Sequence, residues 1–208
     1  MKKVLTIVGL FIGINATAQV ATSGTNNNGT NASAMGYQTS ATNTASTAMG
    51  NSSTASGVTS TAIGNNSTAS GETSIAMGYQ TSATNTASTA MGNSSTASGV
   101  TSTAIGNNST ASGETSIAMG FETEATDSAS IAMGYQTSST EGASTAMGFK
   151  TTASGFGSTS IGYQTTASGY GSTSIGYQTT ASGNSSTAIG KNTIASDFGS
   201  LVIGQYNL

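Results

Sequence analysis

Glycine recurs every fourteen residues along most of this 208-residue chain. It stands at Gly36, Gly50, Gly64, Gly78, Gly92, Gly106, Gly120, Gly134, Gly148, Gly162, Gly176, Gly190 and Gly204, without a slip. The residue before each is Met or Ile: Met35, Met49, Ile63, Met77, Met91, Ile105, Met119, Met133, Met147, Ile161, Ile175, Ile189 and Ile203. Four residues before each glycine stands Ser, with Ala32 the one exception. A strict short period predicts a solenoid, in which each repeat is one coil that buries its inner face only against its neighbours.

Composition alone points elsewhere. Charged residues are 5% and apolar residues 35% of the chain, a balance that usually leaves a Ser/Thr/Gly-rich tract unfolded. The period overrides that reading, because a disordered chain has no use for Met or Ile at every fourteenth position. The chain has no Cys and no His, which removes thiolate chemistry, the usual general base and the commonest metal ligand. Setting aside Lys2 and Lys3, two cations (Lys150 and Lys191) stand against seven acids, a poor match for a phosphate backbone. No nucleic-acid partner and no cofactor is expected.

Met1-Lys2-Lys3 is a basic start, Val4 to Ile14 is an apolar run, and Ala16-Thr17-Ala18 has the A-x-A form of a cleavage site. Residues 1–18 therefore read as a secretory signal peptide, since eleven apolar residues are too few to span a bilayer. The expected location is secreted or cell-surface (outer membrane-associated) after its removal. Residues 19–31 read as a flexible lead-in, and residues 32–208 as a β-roll of about 12–13 coils.

One coil, residues 177–190, reads Tyr-Gln-Thr-Thr-Ala-Ser-Gly-Asn-Ser-Ser-Thr-Ala-Ile-Gly. It predicts two short strands, Gln178–Ser182 and Ser185–Ile189, each ending at a turn glycine. Midway between ladder glycines stand Gly57, Gly71, Gly99, Gly113, Gly155, Gly169 and Gly183, or else Asn43, Asn85, Asp127, Glu141 and Asp197. Gly, Asn and Asp tolerate positive φ, so a second tight turn is expected there, with Gly142 taking over from Glu141. Strand alternation leaves two ways to place the side chains. Either Thr179, Ala181, Ser186 and Ala188 line the interior and the Met/Ile row faces out, or the reverse. The first is preferred because the Ala positions of both strands then share one face. It leaves an apolar stripe longer than a soluble monomer exposes, so an oligomer with Met/Ile at its seam is expected. Residues 37–78 and 79–120 are identical, so coil number reads as adjustable.

The units Ser186-Thr-Ala-Ile-Gly190 and Ser158-Thr-Ser-Ile-Gly162, with the intervening Thr-Ala-Ser-Gly at 152–155, 166–169 and 180–183, resemble the head repeats of trimeric autotransporter adhesins. That family is typified by the YadA head, with its fourteen-residue Hep/Hag repeat S-x-A-I-G followed by A-x-G. The resemblance spans residues 33–204 and implies a left-handed parallel β-roll, trimerised side by side, that adheres to matrix proteins, glycans or cell surfaces. By that resemblance the Met and Ile positions fall between subunits. The family's coiled-coil stalk and membrane barrel have no counterpart among the repeats.

Aromatic residues follow the ladder glycine at Tyr37, Tyr79, Phe121, Tyr135, Phe149, Tyr163 and Tyr177, the last five in consecutive coils. They form a candidate binding row for sugars, collagen-like chains or a partner protein, or else a structural ladder. Phe156, Tyr170 and Phe198 mark the opposite corner. Glu122, Glu124 and Asp127 are the one acidic cluster, but lack any calcium-loop spacing, and no metal is expected. No base accompanies the many hydroxyls, so nucleophilic catalysis is not expected. An ice-binding solenoid is the alternative function, since Thr54 and Ser56, Thr68 and Ser70, and Thr152 and Ser154 would form an outward hydroxyl grid.

Overall fold

The computed structural model describes residues 24–206, so the expected signal peptide lies outside the described residues. Within them 26 strands follow one another, β1 (Asn26–Asn27) to β26 (Leu201–Gln205). Odd-numbered strands are two residues long and even-numbered strands five. Each set forms one 13-stranded parallel sheet, so every coil gives one strand to each face of the roll. Register never shifts: Met91 lies between Met77 and Ile105, and Ala90 between Ala76 and Ala104. The architecture is an all-β parallel solenoid of about 13 turns, on the order of 60 Å long at the usual strand spacing. No helix among the described residues is long and apolar enough to cross a membrane.

The interior is made of methyl and hydroxymethyl groups. Ala181 and Ala188, with their equivalents in nearly every coil, are 0–1% exposed, and Thr179 and Ser186 are as deeply buried. The two sheets can approach closely only because these side chains are small. In many coils the recurring Ser, three residues before the Met/Ile row residue, locks a turn, whereas the hydroxyls of Ser172, Ser186 and Ser200 have no partner. Ser60 Oγ donates to the Gly57 carbonyl at 2.8 Å, and Ser74, Ser102 and Ser116 repeat the bond to Gly71, Gly99 and Gly113. Where Ser replaces a core Ala, a neighbouring hydroxyl satisfies it. Ser160 pairs with Thr165 at 2.8 Å, Ser174 with Thr179 at 2.7 Å and Ser139 with Ser144 at 2.6 Å. A hydroxyl buried without a partner costs about 1–3 kcal/mol, so these pairs stabilise their coils, while Thr39, Thr137, Thr151 and Thr193 leave their Oγ1 unpartnered.

Five details differ from the sequence-based expectation. The strands are Thr180–Ala181 and Thr187–Lys191, not Gln178–Ser182 and Ser185–Ile189. Gln178 and Ser185 have φ of 52° and 55°, a left-handed conformation that no strand accommodates. Such a residue recurs every seventh position, as at Gln38, Ala45, Ser52, Thr59 and Asn66, so each coil has two quasi-equivalent corners.

The ladder glycines are not turn residues. They occupy the fourth position of the five-residue strands, with φ between 115° and 137°. A Cβ on Gly120 would fall on the carbonyl oxygen of Gly134 and 2.8 Å from its carbonyl carbon. Glycine is required there by both the backbone conformation and the next coil. The midway glycines do not supply positive φ either. The left-handed residue lies two positions later. In the coils that hold a midway glycine a Cβ would strike the next coil's carbonyl, as Gly71 would strike Asn85, while Asn43, Asn85, Asp127, Glu141 and Asp197 hold the same position with a side chain. In the Glu141 coil the left-handed residue is Ala143 (φ 54°), so Gly142 does not take over.

The roll also begins earlier than residue 32. Asn26 and Asn27 pair in parallel with Ser40 and Ala41, and Gly29 N donates to Ala41 O at 3.3 Å, inside the stretch expected to be a flexible lead-in.

Candidate functional site

With an interior of methyl groups, the large apolar side chains stand outside. Every Met or Ile of the row points outward from an even-numbered strand. Met35 is 38% and Ile203 67% exposed, and the eleven between them are half-buried. In-register pairing stacks each on the next, as Met119 on Met133 and Ile161 on Ile175. Two residues earlier, Ile75, Ile117, Ile131 and Leu201 replace the usual Thr and widen the ribbon. The result is a continuous apolar stripe along one face of the rod.

The aromatic residues after the ladder glycines end the same strands and so stand at the corner. Phe121, Tyr135, Phe149, Tyr163 and Tyr177 form one unbroken stack. Successive ring centroids are 4.9, 5.0, 5.0 and 4.8 Å apart, with planes within 7° of parallel. Strand spacing sets this distance, so the sheet itself assembles the stack. The inner rings have both faces covered by neighbours, which leaves ring edges facing water. A sugar ring, which docks on an aromatic face, finds no free face along the inside of the row. Tyr37 and Tyr79 stand apart from the stack, beside Asn51 and between Asn65 and Asn93.

Lys191 takes the next position of the ladder after Tyr177. Its ammonium lies 5.7 Å from the Tyr177 centroid and 5.5 Å from that of Tyr206, a cation–π cap on the end of the stack. A hydrogen bond from Lys191, with help from Gln205 and from the Lys191 charge, lowers the Tyr206 phenol below its ordinary pKa. One residue beyond the stack runs a polar row at the left-handed corner positions. In it Gln136 donates to Glu122 at 2.6 Å and Gln178 to Gln164 at 3.0 Å. Lys150 belongs to this row, 5.5 Å from the Phe149 centroid.

At the opposite corner Phe156 and Tyr170 stack at 5.5 Å, while Phe198 is separate and 83% exposed. The acidic residues are not brought together as a site. Glu122 accepts from Gln136, Glu124 points outward from a strand, and Asp127 accepts from its neighbour's Ser128 N–H at 2.6 Å. Among the described residues no three acids, His or Cys converge on a point that could hold a metal. The hydroxyl grid does face outward, but Glu124 and the 46%-exposed Ile194 interrupt its strand row. Sequence reading missed the Ser turn lock and the seven-residue left-handed period. The near-invariance of that Ser was the available signal for the first.

With the geometry in place, comparison with known families is decisive. The YadA head domain repeat (2 copies) matches in eleven segments: 28–53, 55–81, 69–95, 83–109, 97–123, 111–137, 125–151, 142–165, 153–179, 167–193 and 181–206. These cover nearly all of the described roll, and the chain belongs to the YadA head repeat family. It is therefore an adhesin-type head domain built as a β-solenoid. No curated protein matches the chain.

Proposed function

We propose that the chain is a surface-exposed, non-catalytic adhesin head that works as a side-by-side trimer. The Met/Ile stripe is the observation that carries this reading. It runs the length of the roll, half-buried in the single chain, and copies packed in parallel would cover it along a common axis. The outer faces would then repeat the same shallow surface every coil. Such a surface suits many weak contacts to a matrix protein, glycan or cell surface, and avidity rather than a deep pocket would supply the affinity. Export through the residue 1–18 signal peptide belongs to the same proposal. Ice binding is not favoured, because the family match points to adhesion and the hydroxyl rows are interrupted.

The duplication offers a clean test. Deleting residues 79–120 removes three coils and rejoins Gly78 to Phe121 in register. Binding of the full and shortened chains to immobilised collagen, fibronectin, mucin and polysaccharide is compared on one surface. Apparent affinity for the bound ligand is expected to fall at least tenfold with the shortened rod. No binding to any of the four, or equal binding by both lengths, would sink the proposal.

A further inference from the structure

The five-ring stack has chemistry that the seam and the family match leave unused. Its faces are consumed by stacking, so the solvent meets a ridge of ring edges roughly 20 Å long. Ring edges carry the positive part of the aromatic quadrupole and pair best with the face of another π-system. A flat aromatic molecule laid along the ridge makes one edge-to-face contact per coil, at a spacing the sheet holds constant.

Charge narrows the class further. Lys150 lies beside the middle of the ridge and Lys191 caps its C-terminal end. They are three coils apart in the ladder, roughly 14 Å at normal strand spacing. Apart from the N-terminal pair Lys2 and Lys3, they are the only cations in the chain. Both stand at this corner. The one acid of the adjoining polar row, Glu122, is at the far end and hydrogen-bonded to Gln136.

We propose that this corner is a binding track for elongated planar aromatic anions. The ligand lies face-down across the edges of Phe121, Tyr135, Phe149, Tyr163 and Tyr177, with its acid groups directed to Lys150 and Lys191. The track lies two residues beyond the Met/Ile row, past the ladder glycine, and goes beyond the adhesin reading. It needs neither a matrix ligand nor a stated number of subunits.

Two planar dyes of opposite charge test it on the purified full chain in its own solution assembly. Congo red is the dianionic probe and thioflavin T the cationic one, read by absorbance shift and induced circular dichroism. Congo red is expected to bind saturably, with thioflavin T at least tenfold weaker. Tyr163→Asn breaks the stack, and is compatible with folding because Asn51, Asn65, Asn93 and Asn107 already hold that register position. It should weaken Congo red at least tenfold. Lys150→Gln places the corner residue of Gln136 and Gln164 there, and should weaken binding several-fold while flattening its salt dependence. Tyr79→Asn, away from the stack, should leave binding unchanged. Absence of Congo red binding, equal binding by Tyr163→Asn, or equal affinity for thioflavin T would each overturn the proposal.

Discussion

Replacing Gly120 with Ala asks the most of the stacked-coil account. Its φ is 137°, in an extended region essentially reserved for glycine, and a backbone cost of about 1–3 kcal/mol is expected from that alone. The added methyl would also fall on the Gly134 carbonyl, 2.8 Å from its carbon and 3.1 Å from its nitrogen. Those atoms belong to the next coil's backbone and cannot rotate away, so the coils must part locally. Overpacking of this kind typically costs about 1–3 kcal/mol, and one lost ladder bond adds about 1 kcal/mol. The expected total is about 3–7 kcal/mol.

Two other substitutions separate these contributions. Gly204 has φ 132° but meets nothing within 4 Å, so Gly204→Ala should carry only the backbone cost of about 1–3 kcal/mol. Gly157 has φ 64° and open space, and Ala143 already holds the equivalent corner at φ 54°. Gly157→Ala should be mildly destabilising, by about 1 kcal/mol, because a left-handed strain of about 1–2 kcal/mol outweighs the gain through the unfolded chain. Urea unfolding followed by far-UV circular dichroism, at one protomer concentration for all variants, gives the order. If Gly120→Ala is no more destabilising than Gly204→Ala, the coil-to-coil clash is not what fixes the ladder.

The core hydroxyls make a second prediction, because Thr151 Oγ1 is buried without a hydrogen-bond partner while Thr165 has Ser160. Ala146 is in register with Ser160, so Ala146→Ser should stabilise by about 1 kcal/mol, and a loss of stability in the same denaturation assay would contradict the pairing. At the seam, Ile175→Asp puts a carboxylate in the middle of the apolar stripe and should lower the solution mass to that of one chain. An unchanged mass would place the contact elsewhere. At the end of the aromatic stack, Lys191→Met removes the largest cause of the lowered Tyr206 pKa. The phenol should return toward its ordinary value in a titration followed by NMR of the labelled ring, and an unmoved pKa would show that Lys191 is not its partner.

Much of this architecture was legible because a solenoid repeats each of its constraints thirteen times. The coil length, the inward Ala and Ser, the outward Met/Ile row and the aromatic stack all follow from period and strand alternation. The turns were harder to read. Composition suggested that glycine marks positive φ at the midway position, yet the left-handed residues there are mostly Ala, Thr and Ser two places later. Thr59 and Thr73 are β-branched residues that disfavour this conformation, so their identities gave no signal. Glycine was selected instead by backbone crowding from the next coil, a constraint between repeats that no single repeat displays. The site was legible only in part, since the sequence aligned the five rings but not which surfaces they leave open. Parallel stacking covers the ring faces and leaves a ridge of edges, which the ladder positions alone do not display.

The central claim is that the Met/Ile stripe is buried between copies of the chain. Light scattering of the purified chain at micromolar concentration measures this most directly. A mass three times that of one chain is the predicted result. A well-behaved monomer with the stripe left in water would contradict the account.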